Sequence, residues 1–425
     1  MPFLRLGLQR GGWACEKQMT EDLDASTRSE QDLAPTPDLG DILLVSTAEW
    51  DAPHWTNKQH VACQLVKRGY RVFYVESLGL RRPFLNKRDT LRIASRLKRM
   101  FAPPRLVQPG LWVWSPVVPL IGFSNVTRKL GRIFLANRLS NWATILKLDL
   151  KTLWTYNPLT PELFLCRQFR TVIYHCVDEV AEQPGMPAKL IRNVEQVLCK
   201  ESKVIFATSR HLEVSRRKIN PRTFYLPNVA DYEHFSRAQK PSQAMALELE
   251  KLQRPIIGFV GSFSRIKIDV ALLEHLVTSE PTWSFVFVGQ IGLGERNDDL
   301  GGLIRAKNVY FLGAQKYENL PAYLKGFDVG ILPALLNDYT KGMFPMKFFE
   351  YLAAGLPVVS TNLPALTEFR EVVDLAEGPH DFLCKLRSVV RGSCPALVKR
   401  LSVAREYTYE KRTSQMLDIV ADAIR

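Results

Sequence analysis

Lys347 and Glu350 stand one helical turn apart in PMKFFEYLAAGLPVVST (345–361), which reads as a helix, a glycine stop and a short buried strand. On a helical wheel Phe348, Phe349, Leu352 and Ala353 form the buried stripe, while Lys347, Glu350 and Ala354 fall on the opposite side. Pro345 suits the first turn, Gly355 the C-terminal stop, and Pro357 follows it. As a surface pair the two charges would contribute only about 0.2–0.5 kcal/mol. A ligand would give them more to do. Glu350 could accept two ribose hydroxyls, Lys347 could meet a phosphate, and Gly342 would let backbone amides approach the same group.

Three further stretches carry residues able to do chemistry. In VGSFSRIKID (260–269), Gly261 permits close backbone approach, and Arg265 and Lys267 place two cations in a loop leading into a helix. Amides at a helix N-terminus with two mobile charges suit a diphosphate; ordinary surface charge is the plain alternative. YHCVDE (174–179) ends a strand with His175 and Asp178. A buried histidine satisfied by backbone is one reading; beside a cleft, such a ring contacts a sugar hydroxyl or aids proton movement. In STAEWDAPHWTNKQH (46–60), the helix start near Thr56, Asn57 and Lys58 could hold a phosphate or an acceptor group.

The elements that must position these residues follow one grammar. From residue 41 short apolar runs alternate with helical patterns, the mark of parallel α/β architecture. Strands fit 41–47, 71–77, 111–115, 152–156, 171–176, 203–209 and 223–228, with helices near 56–68, 126–147, 187–200 and 209–219. The second half repeats the pattern, with strands at 255–262, 284–290, 308–313, 327–333 and 357–361 and helices at 269–278, 317–325, 344–354 and 379–391. The polar stretch 231–255 separates the halves. Two such sheets in tandem imply a cleft where ligands sit beyond the carboxyl ends of the strands.

A chain of 425 residues is long for one core, and 46% apolar residues supply ample material for two. Seven cysteines are scattered without metal-ligand spacing, which argues against a zinc site or a disulfide framework and for a reducing compartment. The longest apolar run, 111–123, holds two prolines and is too short to span a bilayer. The first forty residues lack an apolar segment and read as a disordered tail without a signal peptide. The net charge of +14 is concentrated: residues 81–105 hold nine Lys/Arg and one Asp. Within them LRIASRLKRMF (91–101) reads as a basic amphipathic helix whose Arg92, Arg96, Lys98 and Arg99 suit an anionic membrane surface. A solvated charged helix is the alternative, and no nucleic-acid motif is visible.

KFFEYLAAGLPVVST, LPNVADYEHF (226–235), IGFVGSFSRIK, WSFVFVGQ and NVYFLGAQKYENLPAYLKGFDVGILP together resemble, in order and spacing, the group 1 (family 4) retaining glycosyltransferases that use nucleotide sugars. YTYEKRTSQML (407–417) resembles that family's kinked final helix. The resemblance implies an α/β fold of the GT-B type, with two Rossmann-like domains and an interdomain cleft. It implies an acceptor domain over 41–230, a nucleotide-sugar domain over 231–405 and a helix over 406–425 that packs back on the first domain, after the tail 1–40.

The same resemblance implies that Glu350 binds the donor ribose, Lys267 a phosphate, and that His175 lies near the transferred sugar. Gly313–Glu318, Gln315 included, would lie near the base. Three residues depart from the family pattern: Ser262 replaces an Arg after the loop glycine, Gly342 replaces the first glutamate of E-x7-E, and Val229 replaces a junction glycine. The expected reaction moves a sugar with retention from a UDP- or GDP-sugar to a lipid-linked, polysaccharide or other cell-envelope acceptor, with no metal or other cofactor. An epimerase of the same fold and a non-catalytic scaffold of glycan assembly are the alternatives. The expected place is cytoplasmic, peripheral on the inner face of the membrane.

Overall fold

The run Asp41–Val45 (β1) is apolar after its first residue, and all five residues are buried. That is what a strand requires when helices cover both faces of a parallel sheet. Each such Leu or Val is worth about 1.5–3 kcal/mol on burial, which fixes β1 at the centre. The computed structural model describes residues 37–52, 55–77, 102–116, 125–183, 185–292 and 300–425. The basic segment with Arg92, Arg96, Lys98 and Arg99, and the tail through residue 36, lie outside the described residues. Residues 37–40 are tied down: Tyr70 Oη donates to Pro37 O (2.8 Å) and Thr152 Oγ1 to Leu39 O (2.6 Å).

The first sheet has eight strands: β1, Val72–Val75 (β2), Arg105–Gln108 (β3), Leu111–Trp114 (β4), Leu150–Thr155 (β5), Thr171–Cys176 (β6), Val204–Ala207 (β7) and Thr223–Tyr225 (β8). Their order is β3-β4-β2-β1-β5-β6-β7-β8, parallel except for the β3–β4 edge pair. Ile42 and Leu44 face one core layer and Leu43 and Val45 the other, as the alternation of a strand demands.

The second sheet has six parallel strands: Ile256–Val260 (β9), Ser284–Val288 (β10), Val309–Phe311 (β11), Val329–Leu332 (β12), Val358–Thr361 (β13) and Asp374–Ala376 (β14). The order is β11-β10-β9-β12-β13-β14. It too is covered on both faces, with Ile256 and Val260 in one layer and Ile257 and Phe259 in the other. This two-sheet α/β architecture agrees with the fold expected from the sequence.

The chain ends by returning to the first sheet. Helices Leu397–Glu406 and Tyr409–Ile424 are broken at Tyr407–Thr408, and Thr408 Oγ1 caps the second. Tyr409, Arg412, Thr413, Met416, Leu417 and Val420 recur at helical spacing and are buried. Met416, Leu417 and Val420 share a core layer with Ile42 and Leu44. Among the described residues no helix is long and apolar enough to cross a membrane.

Candidate active site

The carboxyl ends of β9, β10 and β11 carry Gly261, Gly289 and Gly313 in adjacent places. Gly261 N–H donates to Val288 O (2.8 Å), and Gly289 N–H donates to Gly313 O (2.7 Å). Gly261 and Gly289 have φ of +147° and +149°. A β-carbon at 289 would stand 2.0 Å from Gly261 O, so the strand ends close into a bare backbone floor. Gln315 folds back on this turn, its Nε2 donating to Leu312 O (2.9 Å).

The helix Lys347–Ala353 rises beside that floor. Its wheel differs from the sequence expectation: Tyr351 and Ala354 are buried as well as the apolar stripe. Tyr351 Oη accepts from Val260 N–H (2.8 Å), which ties the helix to the end of β9. Lys347 lies over Gly261, where a β-carbon would stand 2.2 Å from its Cε. Glu350 forms no ion pair with Lys347 among the described residues. Burial pushes the Glu350 carboxyl up, Lys347 pulls it down, and Asp231 pushes it up further. It is therefore a half-buried acceptor held next to a cation, not half of a surface pair.

The loop after β9 is tethered at both ends. Phe263 N–H donates to Gln290 O (2.8 Å), Leu335 N–H to Lys267 O (2.8 Å), and Asn337 Nδ2 to Ile266 O (2.7 Å). These contacts place the Lys267 ammonium 5.3 Å from the centroid of Tyr339. Arg265 is exposed and Ser262 half-buried on the same loop. The helix that follows, Val270–Ser279, is capped by Asp269, which accepts from Leu272 N–H (2.9 Å). Its N-terminus already has a carboxylate, which leaves Lys267, Arg265 and the glycine backbone as the loop's groups able to meet an anion.

Across the cleft stand the ends of β5 and β6. His175 is buried, stacks on Tyr156 (centroids 4.7 Å apart), and its Nδ1 has no hydrogen-bond partner. Burial lowers its pKa to about 3, with Lys58 and Arg412 adding to the effect. The ring is thus neutral at ordinary pH. Burial raises the Asp178 carboxyl, while Lys58 and Lys267 pull it down; the second of these comes from the opposite domain. The structure therefore brings His175, Asp178, Lys58 and Lys267 to one place.

Thr56 and Asn57 have structural work. Thr56 N–H and Oγ1 both donate to Gln59 Oε1, closing the start of the helix Asn57–Lys67. Asn57 Nδ2 donates to Asn228 Oδ1 (2.6 Å) and its Oδ1 accepts from Tyr409 Oη (3.2 Å). Asn228 Nδ2 in turn donates to Phe344 O (2.7 Å). Asn228, inside the LPN stretch, is the joint between the domains, a role the sequence marked only as a junction motif. Tyr317 lies within the stretch 313–318 expected near the base, and Tyr409 was not foreseen. Each is close enough to Glu350 to feel its charge, and they stack on His234 (4.2 Å) and His60 (4.1 Å).

Gly342 meets the first domain directly. Its carbonyl accepts from Ser209 Oγ (2.9 Å), and a β-carbon there would stand 3.3 Å from Glu179 Cβ. Behind Glu179 lies a cavity of about 400 Å³ that Asp338 also lines. Its wall holds Arg216, which pairs with Glu179 (2.6 Å) and Glu195 (2.8 Å). Its other carboxylates, Glu182 and Asp338, make this wall unsuited to a second anion. Among the described residues no cluster of His, Cys, Asp or Glu has metal-site geometry.

Comparison with known proteins bears on this site. Residues 254–391, which hold the glycine floor, Lys267, Lys347 and Glu350, match the family model described as glycosyl transferases group 1. TuaH of Bacillus subtilis strain 168, named for teichuronic acid biosynthesis as a glycosyltransferase, is 27% identical over 263 residues. That match spans 60% of this chain and 61% of TuaH. Sucrose-phosphate synthase of Thermosynechococcus elongatus superposes with a TM-score of 0.65 at 17% identity, covering 90% of this chain and 98% of that one. HepE of Anabaena, solved in complex with UDP and glucose, gives 0.63 at 14% identity, covering 90% and 99%. These two-domain likenesses establish the GT-B fold.

Proposed function

We propose, from the match of residues 254–391 to the group 1 glycosyl transferase model and from the GT-B fold, that this chain transfers a sugar from a UDP- or GDP-sugar to a polysaccharide or lipid-linked acceptor of the cell envelope. The observation that carries the reading is a set of side chains that meet from both domains. Lys347 lies over the bare backbone at Gly261 with Glu350 next to it, and Lys267 of the same domain is close enough to Asp178, beside His175, to feel its charge. The name of TuaH supports an envelope polysaccharide as the acceptor class, and the UDP held by HepE supports a uridine nucleotide.

In the proposed reaction the nucleotide ribose reaches Glu350 and the diphosphate lies over Gly261 against Lys267 and Lys347. The bond from the anomeric carbon to the phosphate oxygen breaks, and its electron pair leaves with the nucleoside diphosphate. Fixed ammonium groups in a partly dehydrated cleft stabilise that growing charge without reorganising. The acceptor hydroxyl attacks from the face the phosphate leaves and gives its proton to a departing phosphate oxygen. Configuration is then retained. Neutral His175 supplies a hydrogen bond to the sugar. No metal is assigned a role. Peripheral attachment to the inner membrane surface belongs to the same proposal.

The test is a panel of UDP- and GDP-sugars offered to the full chain with envelope glycan and lipid-linked acceptors, with products followed by NMR. A new glycosidic bond of the donor's anomeric configuration supports the reading. Donor turnover to an isomer without acceptor identifies an epimerase instead. Absence of any turnover, with partner binding intact in Lys267→Ala, identifies a scaffold.

A further inference from the structure

The helix that carries Lys347 and Glu350 starts without a side-chain cap, and Pro345 just ahead of it has no N–H to give. Its approach is held instead through two backbone carbonyls. Ser209 Oγ donates to Gly342 O (2.9 Å), and Asn228 Nδ2 donates to Phe344 O (2.7 Å). Both donors are buried, and they follow β7 and β8 of the first sheet. The Phe344 ring meanwhile stacks on Phe349 in the second domain's core, with centroids 5.5 Å apart. A side chain from the first half of the chain thus grips the lead of the helix three residues before Lys347.

The bonds behind Asn228 have a fixed direction. A backbone carbonyl only accepts, so the face of Asn228 toward Phe344 O must be its NH2 group. Its Oδ1 then faces Asn57, which must donate through Nδ2 (2.6 Å). Asn57 Oδ1 is left to accept from the Tyr409 hydroxyl (3.2 Å). Asn57, Asn228 and Tyr409 are all buried, so a turned amide would leave donors and acceptors unpaired where water does not replace them. Beside this relay Ala230 N–H donates to Tyr407 O (3.2 Å), which ties the same junction to the break before the final helix.

We propose that Asn228 is a positioning residue of the donor site, fixing the Phe344 carbonyl and with it the placing of Lys347 and Glu350, while Asn57 and Tyr409 fix its amide; this rests on the donor reading above. The helix Tyr409–Ile424 is thereby coupled to nucleotide binding without touching the phosphates. With that helix seated on the first sheet the relay is complete, and the lead of the donor-side helix is held. Displacements of about 1 Å in such a support are felt at the ligand.

The test is calorimetric titration of the full chain with UDP and GDP, well below its unfolding temperature, for the wild type, Asn228→Ala, Asn57→Ala and the double variant. Thermal unfolding is measured on the same samples. Expected for Asn228→Ala is about tenfold or more weaker binding of whichever diphosphate the wild type takes, in protein still folded at the titration temperature. Asn57→Ala keeps the amide of Asn228 but frees it to turn, and should lose about threefold or more. The double variant should bind within about twofold of Asn228→Ala, because both residues act through one bond to Phe344 O. Binding by Asn228→Ala within about twofold of wild type, with only a lowered unfolding temperature, marks a structural asparagine and overturns the assignment. So do losses that multiply in the double variant. If Asn228→Ala does not fold, Asn57→Ala decides, and wild-type affinity in it overturns the assignment. If the wild type binds neither diphosphate, the donor reading itself fails, and the assignment with it.

Discussion

Lys347 crosses directly over Gly261: the lysine stem occupies the volume that any side chain at 261 would need, with 2.2 Å between Lys347 Cε and the position of a β-carbon. The glycine therefore does two things at once. It takes a φ of +147° that other residues avoid, and it lets an ammonium lie against the strand-end backbone. Gly261→Ala should lose about 1–3 kcal/mol of stability through strain and push Lys347 off the floor. Nucleoside diphosphate affinity should fall more than the affinity for the nucleoside alone. Titration with both ligands checks this; equal losses would place Lys347 away from the phosphates.

Gly342 occupies the place where family relatives are expected to carry a glutamate. Its neighbours leave little room for a larger residue. Glu179 Cβ is within 3.3 Å of where a side chain would start, and Ser209 holds the backbone. Gly342→Glu should set a second carboxylate beside Glu179, loosen the contact between domains and lower the rate of transfer. A kinetic assay of the variant checks it, and an increase in rate would show that the glycine is a lost function.

Arg216 is buried between Glu179 and Glu195, whereas Arg192 is exposed beside Glu182. Removing the buried cation leaves two carboxylates unpaired. Arg216→Met should cost about 3–5 kcal/mol, and Arg192→Met at most about 1 kcal/mol. Urea unfolding of both variants gives the comparison, with equal costs as the contrary result.

Stability should also depend on pH through two histidines. Burial depresses His175 to about 3 and His60 to about 4 in the folded chain, against 6.5 when unfolded. The unfolded chain therefore takes up these protons first as pH falls. Their contribution is fully present above pH 6.5 and is lost progressively down to the folded values. His175→Phe should be less sensitive to pH between 6.5 and 4 than the wild type, measured by unfolding midpoints. An identical slope would mean that His175 meets solvent.

Most of the strands were legible because both sheets are covered on both faces, which forces continuous apolar runs such as Asp41–Val45. β3 was not, since Arg105 and Leu106 lie exposed on an antiparallel edge. β14 spans only Asp374–Ala376 and is too short to show a pattern. The wheel of the helix Lys347–Ala353 misled over Ala354 and left Tyr351 unassigned, because β-strands and a later helix enclose it on more than one side. Gly261, Lys267, Glu350 and His175 were legible as candidates from the strand ends and from the family resemblance together. The joint at Asn57 was not. Asn57 is bound by Asn228 and Tyr409, 171 and 352 residues away, and no local spacing carries that.

Glu350 gives the most direct test of the donor site, because its two roles pull in opposite directions. As a half-buried carboxyl raised by desolvation it is costly to ionise, so Glu350→Gln should leave the fold at least as stable at neutral pH. As the ribose acceptor it should be needed for the nucleotide. The decisive measurement is the calorimetric affinity of the full chain and of Glu350→Gln for UDP and GDP. Expected is binding of at least one by the wild type and about tenfold or more weakening in the variant. Equal affinity in the two proteins, or no binding of either nucleotide by the wild type, would contradict it.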